Sequence, residues 1–186
     1  IVDAMAKKPE FSFTMAHLKD EGMIATSEIA TKIADFTYSK YMRDTRQALK
    51  DFDDEKDSML IDDMVNMNIM LTGMVSDLST GGKQLAVAHN FYDAVCCMYK
   101  DVRRKYLHGE IVAMALPLQL AVNGRPEAEI EELKAFLREV GIPVSIREAG
   151  VPQDGLEELI SYVHRVTIPD DMELLEQIRD GFKYIM

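Results

Sequence analysis

Two of the four histidines stand where an imidazole could do chemistry. His89 lies in LAVAHNFYDAV (85–95), among small and apolar neighbours, and His108 lies in LHGE (107–110). A neutral imidazole is the commonest side-chain metal ligand. Two imidazoles with a carboxylate make a typical site for divalent zinc or iron, with coordination positions left for a substrate hydroxyl. The plain alternative for each is a satisfied core or cap histidine. Glu110, two residues past His108, fits either a carboxylate that receives the second ring N–H or an acid at a helix start. His17 and His164 read as surface or capping residues.

The elements that must hold these side chains are helical, because apolar residues recur at spacings of three and four nearly everywhere. A helix over 28–50 places Ile29, Ile33, Phe36, Tyr41 and Leu49 on its apolar spacing, and DFDDEKD (51–57) breaks it. A second helix over 58–78 carries Met59, Met64, Met67, Met70 and Met74, a stripe read as core packing. STGG (79–82) ends it, glycine being the natural residue past a helix C-terminus. His89 then rides on a helix over 84–104, and YLHG (106–109) leads into an apolar helix over 110–122 in which Pro117 predicts a kink. NGRP (123–126) is a stop, and Pro126 opens a helix that runs to 139. GIPVS (141–145) makes an extended turn, followed by helices over about 154–165 and 170–184. No stretch alternates with period two. GGKQ (81–84) lacks the spacing and the hydroxyl residue of a phosphate loop, so no nucleotide-binding signature is found.

Composition narrows the class further. The 186 residues suit one domain over 1–186, long enough to bury roughly 70% of the surface of the unfolded chain. A net charge of −11 argues against a nucleic-acid partner, which needs clustered lysine and arginine. Cys96 and Cys97 are adjacent and read as buried free thiols of a reducing compartment. No export signal or membrane-length apolar run is found, so the expectation is a cytoplasmic protein without a membrane partner. A first residue of Ile suggests a piece of a longer chain.

GKQLAVAHNFYDAV (82–95) and KYLHGEIVAMALPLQL (105–120) resemble the C-terminal helical domain of the glycerol dehydrogenase and iron-containing alcohol dehydrogenase family. GRPEAEIEELKAFLREVGIPVSIREAGV (124–151) resembles that domain's next helix and turn. The resemblance implies an all-α domain of the dehydroquinate synthase-like, iron-type alcohol dehydrogenase fold. It also implies that His89 and His108 bind a catalytic metal, zinc or iron. The family's third ligand is an acid in a G-D or A-E motif that begins a segment like L-A-x. GMIATSEIATKIADF (22–36) matches in two registers, one placing Ser27 and the other Glu28 on the acid. Glu28 is favoured, since a neutral hydroxyl is a poor ligand where a carboxylate is expected. Tyr92 stands where many relatives have another histidine, which leaves the substrate open.

The implied enzyme has two halves. An N-terminal nucleotide-binding domain, absent from this chain, would hold NAD(P), and the helical half would hold the metal that polarises the hydroxyl of a small alcohol or polyol. A homo-oligomer is a further expectation. Three alternatives stay open. One is a relative that keeps the fold as a binding domain without catalysis. Another is a dehydroquinate synthase-like enzyme, although the N-x-G-H-x-x-G-H pattern is not found. The third is a helical bundle with incidental histidines.

Overall fold

The computed structural model describes residues 1–17, 25–79 and 85–186, and every regular element among them is helical. Contacts divide the chain into two compact units: Ile1 with 3–84, and Val2 with 85–186. No described helix is long and apolar enough to cross a membrane.

The first unit is built around one long helix. After α1 (Val2–Met5) and α2 (Lys7–His17), α3 (Ala25–Asp53) runs for 29 residues and packs against α4 (Met59–Asn66) and α5 (Thr72–Leu78). The face α3 buries is small and polar: Ser27, Ala30, Ala34, Thr37, Tyr41, Thr45, Ala48 and Asp51. This corrects the apolar stripe expected from the sequence, since Ile29, Phe36 (58% exposed) and Leu49 face outward. Small side chains let the neighbouring helices approach closely, and several of the larger polar side chains find partners there. Thr37 Oγ1 donates to the Ile33 carbonyl at 2.9 Å, Tyr41 Oη donates to Asn68 Oδ1 at 2.9 Å, and Asp51 accepts from Gln47 and Ser58 at 2.7 Å each.

The methionine stripe divides in the same way. Met64 and Met67 are core residues, whereas Met59 (84% exposed), Met70 and Met74 lie on the surface. A π-helical turn over Met67–Leu71 joins α4 to α5 and shifts the phase of the stripe. Thr72 Oγ1 donates to the Met67 carbonyl at 3.1 Å, five residues back, alongside the Thr72 backbone N–H that bonds the same oxygen.

The second unit comprises α6 (Val87–Met98), α7 (Lys100–Lys105), α8 (His108–Met114), α9 (Leu116–Val122), α10 (Glu127–Glu139), the short α11 (Ile146–Ala149), α12 (Leu156–Thr167) and α13 (Met172–Gly181). Its core is the α8–α9 segment, buried without a break from Ile111 to Leu120. Pro117 does more than kink this segment: the helix stops at Ala115 and restarts at Leu116. The helix expected over 84–104 is also two, interrupted at Tyr99 (φ −126°, ψ 69°). Its first residue, Gln84, and the glycines of STGG lie outside the described residues. Gly124 and Gly141 adopt φ of 68° and 81°, which is how the stops at NGRP and GIP are made.

Candidate metal centre

His89 and His108 each sit in the first turn of a helix, and each helix start is fixed by a side chain elsewhere. Ala86, at the N-cap of α6, has no side-chain acceptor, so fully buried Gln119 supplies one: its Oε1 accepts the Ala88 N–H at 3.2 Å. Gln119 Nε2 donates in turn to Asn123 Oδ1 at 2.9 Å, which sets the amide's orientation. Val87, Ala88 and Phe91 are buried, leaving His89 half-buried at the edge of that face. In the same first turn of α6, Asn90 Nδ2 donates to Thr167 Oγ1 at 2.8 Å and ties the helix to α12.

His108 opens α8, and Glu110 Oε2 accepts the Leu107 N–H at 2.7 Å. Glu110 therefore has the helix-start role, one of the two left open by its spacing.

The two imidazoles come together, with ring centroids 5.4 Å apart and planes inclined by 49°. A ring nitrogen about 2.0–2.1 Å from a zinc-like ion puts the ring centre roughly 3.2 Å from it, and two rings at a tetrahedral angle would then stand about 5.2 Å apart. The pair thus has the spacing that shared ligation requires. Tyr92 packs its ring on His108, edge to face, at 4.2 Å and 67°. Arg103 Nε donates to Tyr92 Oη at 3.1 Å, and Arg103 Nη1 donates to the Tyr106 carbonyl at 3.3 Å. A hydrogen bond with Cys96, and burial after it, push the Tyr92 phenol above its ordinary range, and Arg103 pulls partly back.

Glu28 is exposed in the first turn of α3, in the first unit, and Ser27 beside it is fully buried with its Oγ unpartnered among the described residues. His17 is a surface residue whose Nδ1 donates to the Phe13 carbonyl at 2.9 Å. His164 is buried, not superficial, and its Nε2 donates to the Asp171 carbonyl at 2.7 Å. The thiols are free but not buried as expected: Cys96 is half-buried and Cys97 exposed, its Sγ 3.7 Å from Tyr162 Oη. Sequence reasoning missed Gln119, whose cue is a glutamine in an otherwise apolar run, and Arg103.

This all-helical arrangement recurs in known dehydrogenases. A probable glycerol dehydrogenase from Sinorhizobium meliloti superposes with a TM-score of 0.72 at 22% identity, over 98% of this chain and 53% of that one. Glycerol dehydrogenase from Schizosaccharomyces pombe gives a TM-score of 0.66 at 19% identity, over 84% of this chain and 41% of that one. Both likenesses define the fold. In sequence, the chain is 33% identical over 82 residues to glycerol dehydrogenase from Thermotoga maritima, a match covering 44% of this chain and 21% of that protein. Over part of its length the chain is thus similar in sequence to a glycerol dehydrogenase. It spans about half of these structures and about a fifth of the curated relative. No protein-family model matches the chain.

Proposed function

We propose that this chain is the metal-binding helical domain of a cytoplasmic NAD(P)-dependent alcohol or polyol dehydrogenase, with His89 and His108 holding zinc or iron. The observation that carries this reading is the imidazole pair, 5.4 Å apart between the first turns of α6 and α8. As third ligand we propose Glu28, the acid that the family resemblance favours over Ser27.

When bound, the metal would supply Lewis acidity at a substrate hydroxyl, and hydride transfer would belong to NAD(P) held by a nucleotide-binding half outside these 186 residues. The chain's own residues do the placing. Gln119 and Glu110 fix the two helix starts, Tyr92 limits rotation of the His108 ring, and the carboxylate offsets part of the cation's charge. In this reading the 186 residues work as one metal-binding domain within a larger, self-associating enzyme.

Elemental analysis after zinc or iron loading and gel filtration tests the proposal. It should find about one ion per chain, falling at least tenfold in His89→Ala and in His108→Ala and unchanged in His17→Ala. An equal content in all variants, or none in the parent, would overturn it.

A further inference from the structure

Arg103 is the feature of the second unit that the proposed chemistry leaves unused. The chain carries 32 acidic residues against 21 basic ones, and its arginines commonly meet acids: Arg104 with Asp101, Arg125 with Glu129, Arg179 with Glu157 and Glu176. Arg103 has no carboxylate within ion-pair distance among the described residues. Its anchors are neutral oxygens, the Tyr92 phenol and the Tyr106 carbonyl. These bonds occupy Nε and Nη1 and fix the guanidinium plane, leaving Nη2 uncommitted and the charge uncompensated.

The anchored charge lies beside the imidazole pair. The guanidinium carbon is 5.7 Å from the centre of the Tyr92 ring, and that ring is 4.2 Å from the His108 ring. Arg103 is therefore within about 10 Å of a proposed ligand, a distance that a three-carbon molecule with a terminal anionic group bridges once its contacts at both ends are included. A divalent ion with two neutral imidazoles and one carboxylate would leave one further positive charge in the same place. Two uncompensated positive charges favour an anion over a neutral molecule, and a fixed guanidinium suits the paired oxygens of phosphate or carboxylate.

Resting on the metal-centre reading above, we propose that the substrate is an anionic alcohol, its hydroxyl at the metal and its phosphate or carboxylate on Arg103, and not a neutral polyol. Tyr92 serves as the bracket that holds both His108 and Arg103.

Calorimetric titration of the zinc-loaded 186-residue chain with glycerol, glycerol phosphate and glycerate tests this, with zinc content measured on the same samples. Both anions should bind at least tenfold more tightly than glycerol, and the stronger of the two identifies the anionic group. Arg103→Gln should retain zinc and lose the preference. Arg104→Gln, whose arginine is paired with Asp101, should keep it. Equal affinities for the three ligands in a zinc-loaded chain would overturn this inference alone, as would a preference that survives in Arg103→Gln. A chain that takes up no zinc would overturn it together with the reading on which it rests.

Discussion

The identity of the acid is the question that single residues decide. Glu28 faces solvent at the head of α3, where the positive helix end also favours an acid. Glu28→Gln keeps the shape and removes the charge, and zinc affinity should fall at least tenfold when titrated against a chelating indicator. An affinity within twofold of the parent's would leave the helix end as the reason for the acid. Residue type and spacing do not separate Glu28 from Ser27, because GMIATSEIATKIADF fits the motif in two registers. His164 makes the complementary case. Its buried ring bonds the Asp171 carbonyl, so His164→Ala should lower unfolding stability by about 1–3 kcal/mol, measured by urea denaturation, and leave zinc content unchanged.

Among the elements, α3 carries a testable electrostatic tie to α4. Lys40 Nζ lies 3.1 Å from Asp44 and 2.9 Å from Asp63, and hydrogen bonds from Arg43 and Lys40 hold the Asp44 carboxyl down at about 2, below its ordinary 3.8. A depressed carboxyl stabilises the fold above its ordinary value, and that contribution is lost as pH falls from about 3.8 toward 2. Thermal unfolding followed over this range should therefore show a drop that is shallower in Asp44→Asn. A second test falls where α12 begins. A Cβ built on Gly155 would collide with Tyr99 Oη, so Gly155→Ala must displace the ring and should cost about 1–3 kcal/mol in denaturant titration. Helix existence was legible from spacing, and the stops at NGRP and GIP were legible from their glycines. The buried face of α3 was not, because hydrophobicity points to Ile29 and Phe36 while close helix packing selects Ala30, Ala34 and Thr37. The break at Tyr99 had no local marker either, since neither glycine nor proline stands there.

For the molecule as a whole, the relation to glycerol dehydrogenases covers part of the chain, and the solved relatives are roughly twice as long. The sequence made the helical class and the histidine pair legible because both reside in short contiguous segments, LAVAHN and LHGE. In the proposed division of labour, NAD(H) should not bind the 186-residue chain with micromolar affinity, and a saturable isotherm there would contradict it. The central claim is that His89 and His108 share one ion. Zinc titration followed through the histidine ring resonances by NMR tests it most directly, because each ring is read separately in the folded chain. The rings of His89 and His108 should shift together and saturate at one equivalent of zinc, with those of His17 and His164 unmoved. Saturation that leaves either His89 or His108 unperturbed, or that moves all four rings alike, would contradict the shared site.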